Sequence, residues 1–276
     1  MLNDITFGQY YPGNSLVHRL DPRMKLVLTV GFIVLAFMAK VAVSVIGVTL
    51  FLGVLIFLSR IPLKMYLKTL KPIIPIIVIT SVLNAIYVTS GTELVSFWKI
   101  TITSGGVLTA VYMSVRICLL ILCSSMLTYT TTPTQLTDAI ERLFSPLKYL
   151  KLDVHSLAMM MTIALRFIPT LIEETEKIMS AQKARGANLE SGGLLSRIKA
   201  LIPILIPLLI SSFRRAAELA DAMECRCYHG GKGRTRMKQL TLSLRDFVSL
   251  FVLIAVGVGV VFANRTLSGF LYTLIF

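Results

Sequence analysis

Five apolar blocks, residues 26–39, 41–59, 72–88, 105–129 and 246–262, leave this chain few ways to fold. A run of about 20 apolar residues matches the hydrocarbon core of a bilayer when it is helical. Charged residues make up 15% of the 276 and apolar ones 55%, too few charges to coat a soluble globule of this size. The same hydrophobicity excludes disorder. The reading is an all-α membrane protein with about five spans. The 26–39 block is short for a span and is expected to be tilted or packed inside. Residues 1–15 hold no apolar stretch, so no cleaved signal is expected there.

The net charge is +14, so the excess Lys and Arg must gather outside the blocks. Arg19, Arg23 and Lys25 precede the first block. Arg60, Lys64, Lys68 and Lys71 form a loop after the second, while residues 89–104 carry almost no cations. Cations favour the cytoplasmic side. The N-terminus, the 60–71 loop and the segment 130–245 are therefore expected inside, with 89–104 and the C-terminus outside.

The segment after residue 130 is helical by pattern rather than a set of short loops. Thr132-Pro133-Thr134-Gln135 forms a capping box with Pro at the first helical position, predicting a helix to about Tyr149 that Pro146 kinks or ends. A second helix runs from His155 to Ala184, with Gly186 as its C-terminal stop. A third runs from Arg197 to Tyr228, after a break at 191–193 and before Gly230-Gly231. From Lys177 to Arg245 there are 13 Lys/Arg against four acids, Glu190, Glu218, Asp221 and Glu224, which reads as basic amphipathic arms on the cytoplasmic face. The charged second half of the third helix argues against its crossing the bilayer. The expected domains are a membrane domain over 1–129, a coupling-helix domain over 130–240 and a C-terminal span within 241–276.

The chemistry of a hydrolase is missing. Gly231-Lys232-Gly233-Arg234 lacks the spacing and the Lys-Ser/Thr pair of a phosphate-binding loop. His18, His155 and His229 are far apart, and no metal-spaced cluster or nucleophile motif occurs. The chain is therefore expected not to be an enzyme, and no cofactor or nucleic acid is expected. All four cysteines read as reduced. A metal or redox role for Cys225, Cys227 and His229 would leave a site incomplete.

One feature is doubled. Ala184-Arg185-Gly186 closes the second helix and Cys225-Arg226-Cys227, followed by Tyr228, closes the third, so two arginines 41 residues apart occupy last-turn positions. Arginine there complements the helix dipole. It is equally suited to forked pairing with a carboxylate of another protein.

These stretches, with His18-Arg19-Leu20-Asp21-Pro22-Arg23-Met24-Lys25-Leu26, the capping segment to Arg142, and Arg166-Phe167-Ile168-Pro169-Thr170, resemble the EcfT/CbiQ family. Its members are the transmembrane T components of energy-coupling factor (ECF) transporters. The resemblance implies a scaffold whose spans hold a substrate-binding S component. Long cytoplasmic helices would rest on two ATP-binding-cassette ATPase subunits in the plasma membrane of a bacterium. It implies Arg185 and Arg226 as coupling residues, with Ala184, Gly186, Glu224 and Tyr228 shaping the helix ends. The second motif departs from Ala-Arg-Gly. Cys227 in place of Gly disfavours a left-handed backbone there, which predicts a helix end displaced toward Gly230-Gly231.

Arg116 sits in the middle of the 105–129 block, where a charge is expensive. It reaches either a lipid phosphate or backbone carbonyls, or it anchors two spans together, with Asn84 as a candidate partner. Two rivals are weaker. A permease with its own substrate path would line several spans with polar residues, and an intramembrane enzyme would need clustered His or carboxylates. Within the family, a shared vitamin-type T component and a dedicated cobalt- or nickel-type one are both open.

Overall fold

The computed structural model describes residues 9–88, 90–97, 100–146, 154–187, 193–230 and 241–275. Among them the fold is helical. The helices are α1 (Pro22–Met38), α2 (Ala42–Ser59), α3 (Leu63–Leu70), α4 (Ile74–Tyr87), α5 (Ser104–Thr130), α6 (Pro133–Leu143), α7 (Val154–Ala184), α8 (Leu194–Glu224) and α9 (Leu244–Ile275). The described residues divide into two compact units, one from Thr137–Gln239 and the other from Gln9–Leu136 with Leu240–Phe276.

In the larger unit α1 packs against α5 and α9, α2 against the same two, and α3 and α4 against α5. Phe32 and Ala36 of α1, Val48 and Leu52 of α2, Leu119 and Cys123 of α5, and Leu253 and Val260 of α9 form the core. α1 buries Lys25, Thr29, Phe32 and Ala36, one stripe at helical spacing, and leaves Val30, Val34 and Phe37 exposed. It is therefore packed on one face only. Phe57 of α2 is 86% exposed, the pattern of a surface solvated by lipid rather than water.

α1 starts where Asp21 accepts the Arg23 N–H at 2.9 Å and Pro22 opens the helix. Its end is closed by other helices. Ala39 N–H bonds to the Leu35 carbonyl, leaving the carbonyls of Ala36 and Met38 without a helical donor. Arg116 of α5 donates from Nε to Ala36 at 3.1 Å and from a terminal nitrogen to Ala39 at 2.8 Å. Asn264 of α9 donates to Met38 at 2.7 Å, while its carbonyl oxygen accepts the Ser44 hydroxyl at 2.8 Å. Arg116 thus reaches backbone carbonyls and pins two helices together. The expected partner Asn84 is not involved, because its amide turns back to the Thr80 carbonyl of its own helix.

Three expectations about connections change. The 60–71 segment is not a simple loop: it holds α3 and a tight turn, Lys71–Ile73, that leads into α4. Tyr66 supplies the reason, since it is buried on α3 with its ring edge-on to Tyr129 and its hydroxyl 3.2 Å from that of Ser59. The 89–104 segment carries an antiparallel hairpin, β1 (Glu93–Phe97) and β2 (Ile100–Thr103), paired from Glu93 with Thr103 to Phe97 with Ile100. The capping box at Thr132 forms as read: Thr132 Oγ1 accepts the Gln135 N–H and Gln135 Oε1 the Thr132 N–H, both at 3.3 Å. However, α6 stops at Leu143, before Pro146, and Tyr149 lies outside the described residues.

Six helical stretches among the described residues are long and apolar enough to cross a membrane: Ala42–Ser59, Leu63–Tyr87, Ser104–Thr130, Val154–Ala184, Lys199–Glu224 and Leu244–Thr266. The expected five differ at two places. α1, at 17 residues, falls below this length, and α7 and α8 each contain a sufficient apolar stretch. The charges of α8 therefore do not by themselves bar it from the bilayer. The chain is a multi-pass membrane protein.

Candidate functional site

α7 and α8 are 31 residues each and pack on one another. Glu174, two-thirds along α7, accepts a hydrogen bond from Arg215 of α8 at 2.6 Å. Gln182, near the end of α7, donates to the carbonyl of Pro203 in the first third of α8 at 3.4 Å. The two contacts run in opposite senses along the chain, so the helices are antiparallel. A helix rises about 1.5 Å per residue, so the C-terminal ends of α7 and α8 stand on the order of 40 Å apart. Glu174 and Arg215 were not singled out by motif; an acid and a base on two facing helices have no shared sequence spacing to reveal them.

The two ends have one geometry. At α7 the Ala187 N–H bonds to Gln182 O and the Gly186 N–H to Lys183 O, both at 3.0 Å, with Gly186 at φ +88. At α8 the Tyr228 N–H bonds to Met223 O at 3.0 Å and the Cys227 N–H to Glu224 O at 2.8 Å, with Cys227 at φ +57. Each is the paired 6→1 and 5→2 closure that needs a left-handed residue just past the cap. Gly186 and Cys227 are those residues, and Arg185 and Arg226 are the matched caps. The expected displacement to Gly230-Gly231 does not occur: α8 ends at Glu224, and the cysteine adopts the left-handed backbone itself. Gly230 is separately left-handed at φ +92, and Gly231 lies outside the described residues.

Arg185 and Arg226 are exposed, as are Ala184, Gly186 and Glu224, and Tyr228 is partly buried. No hydrogen bond or ion pair holds either guanidinium among the described residues, so each cap presents a free fork. Beside the second cap a cavity of about 480 Å³ is lined by Met159 and Ile163 of α7 with Met223, Arg226, Tyr228 and His229. Cys225 and Cys227 are free and exposed. No group of three or more metal-ligating side chains occurs among the described residues.

A family model described as Cobalt transport protein, CbiQ, matches residues 13–238. Energy-coupling factor transporter transmembrane protein EcfT of Ruminiclostridium cellulolyticum is 50% identical, over 95% of this chain and 96% of its own length. The protein of that name from Clostridium kluyveri is also 50% identical, over 94% and 97%. That of Bacillus subtilis is 45% identical over 92% and 97%. With these lengths matched nearly end to end, and with both arginine-capped helices inside the matched region, this chain belongs to the EcfT/CbiQ family of energy-coupling factor transporter transmembrane proteins.

Proposed function

We propose that this chain is the scaffold of an ECF-type importer, coupling ATP hydrolysis by two ATPase subunits to a substrate-binding S component in a bacterial plasma membrane. The observation that carries the reading is the pair of matched arginine caps. Each is exposed and unpaired, and they stand at opposite ends of one antiparallel helix pair. Such a pair offers one guanidinium to each of two acidic grooves. The Glu174–Arg215 contact lets the two helices move as one body when the grooves approach or separate. Residues 130–240 then form the cytoplasmic coupling domain, with 1–129 and 241–276 in the membrane and the N-terminus inside. The separate compact unit built from Thr137–Gln239 supports this division. The transported substrate is a vitamin or other micronutrient. The description of the matched family model as a cobalt transport protein favours a metal-type importer as the second reading.

The test is Arg185→Glu with Arg226→Glu. Removing one partner of a buried ion pair costs about 3–5 kcal/mol, so the doubly reversed chain should reach the membrane at normal levels, fail to co-purify with the ATPases and lose ATP-driven uptake. Unchanged uptake sinks the assignment. Cysteines placed at Ala187 and His229, in a chain lacking the native four, should react with an impermeant maleimide from the cytoplasmic side alone.

A further inference from the structure

A second arrangement, in the unit built around α5, has no part in the coupling helices. Where α1 and α9 begin and α5 ends, cations and carboxylates collect at one end of the membrane helices. Lys25 is only 5% exposed, and its ammonium donates to the carbonyls of Thr130 at 2.8 Å and His18 at 3.1 Å. Three N–H groups on an ammonium leave one more to give. Asp246 is buried and turned inward: one oxygen accepts the Asp21 N–H at 2.9 Å, the other the Ser243 N–H at 2.7 Å and its hydroxyl at 3.0 Å. Arg245, its neighbour, is exposed and makes no hydrogen bond or ion pair among the described residues. Counting Arg19 and Arg23 with Lys25 and Arg245, four cations face two carboxylates, Asp21 and Asp246.

Below this charged end lies a cavity of about 380 Å³ with an almost wholly apolar lining. Each of four helices lines it over a similar length: Lys25 to Phe32 of α1, Phe51 to Leu58 of α2, Cys123 to Thr130 of α5, and Arg245 to Leu253 of α9. Seven or eight residues of helix rise about 10–12 Å. One leaflet of hydrocarbon is about 15 Å deep, half of the roughly 30 Å core. The cavity therefore begins at the level of Lys25 and Arg245 and ends inside the same leaflet, the depth of one acyl chain and not of a second transmembrane helix.

We propose that this cavity is a binding site for one anionic phospholipid, its acyl chain between α1, α2, α5 and α9 and its headgroup phosphate on Lys25 and Arg245. The lipid would fill the space that these helices leave between them and neutralise the excess positive charge at their ends. Because the N-terminal segment, α1, α5 and α9 all contribute, occupancy would hold those elements together on that side.

The test is native mass spectrometry of the full-length chain purified with defined phosphatidylglycerol and phosphatidylcholine of identical acyl chains. Each juxtamembrane cation favours an anionic lipid about fivefold, so with Lys25 and Arg245 both on the phosphate the wild type should retain phosphatidylglycerol at least about tenfold better. Arg245→Gln, at an exposed and unpartnered side chain, should cut that preference severalfold, leaving only the part that Lys25 supplies. Arg19→Gln, on an exposed cation that does not line the cavity, should leave the preference intact. Val252→Trp, which fills the cavity, should reduce retention of both lipids. Parity in the wild type, an unchanged preference in Arg245→Gln, loss of preference in Arg19→Gln or undiminished retention in Val252→Trp each overturns the site. A homodimer without lipid overturns it too, by assigning the cavity to a second copy.

Discussion

Cys227 occupies at the end of α8 the backbone position that Gly186 occupies at the end of α7, left-handed in both, at φ +57 and +88. Two arginine caps of matching geometry result, although only one of the closing residues is a glycine. The left-handed conformation costs an ordinary side chain about 1–2 kcal/mol. It persists at Cys227 because two backbone hydrogen bonds, from Cys227 and Tyr228, depend on it.

Cys227→Gly should therefore stabilise this helix end by about 1 kcal/mol. Amide exchange at Tyr228 should slow severalfold, and the melting temperature of the purified transporter should not fall. Gly186→Ala should do the opposite at Ala187. Faster exchange at Tyr228 in Cys227→Gly would show that the cysteine side chain makes contacts that outweigh its backbone cost.

Arg116 is expected to be a stability residue. Replacing it by Met leaves the carbonyls of Ala36 and Ala39 without their donors, at about 1–3 kcal/mol for a buried acceptor. Arg116→Lys should recover only part of the loss, since an ammonium lacks the planar fork that serves two carbonyls at once. Thermal unfolding in detergent of wild type, Arg116→Lys and Arg116→Met should fall in that order. Equal melting of all three would mean that the end of α1 does not depend on α5.

Two glycines should respond very differently to alanine. A Cβ at Gly106 would lie 2.7 Å from the carbonyl oxygen of Val88 and 2.9 Å from that of Ala85, both backbone atoms that cannot swing aside. A Cβ at Gly31 would lie 2.7 Å from Cδ2 of Leu253, a side-chain tip that can rotate away. Gly106→Ala should separate α4 from α5 and reduce the yield of folded protein sharply. Gly31→Ala should cost less, and Leu253→Ala should relieve it. The check is folded yield by gel filtration, and equal behaviour of the two alanine variants would contradict this packing.

His18 makes the N-terminal segment sensitive to acid. Its Nε2–H donates to the Tyr11 carbonyl at 3.0 Å, so Nδ1 is the acceptor of the Ser15 hydroxyl at 2.7 Å. Burial pushes the imidazole below its ordinary value of 6.5, the Tyr11 bond pulls it partly back up, and the charge of Lys25 adds to the lowering. A histidine with a depressed folded value stabilises above its unfolded one, and that stability is lost as pH falls from 6.5 through the lower folded value. Tryptic cleavage after Arg19 should accelerate between pH 7 and pH 5, once corrected for the pH dependence of trypsin. His18→Gln should flatten the profile. An equally steep rise in the variant would place the acid-sensitive group elsewhere.

Sequence alone determined that this chain is helical and lies in a membrane, because runs of about 20 apolar residues with 15% charge have no other low-energy arrangement. It also located the capping box at Thr132 and the doubled arginine, since caps and stops act through neighbours three to five residues away. What tertiary structure decided were the pairings across distance. Lys25 reads as a flanking cation, yet it is buried because the carbonyls of His18 and Thr130 converge on it. Arg116 finds its acceptors 77 and 80 residues away, where α1 ends with unfilled carbonyls. The 60–71 segment becomes helical because Tyr66 packs on Tyr129, and Cys227 turns left-handed because the hydrogen bonds that close α8 outweigh its local preference. Local backbone chemistry is written in adjacent residues. Which distant polar groups satisfy one another depends on how the helices pack, and no spacing along the chain records it.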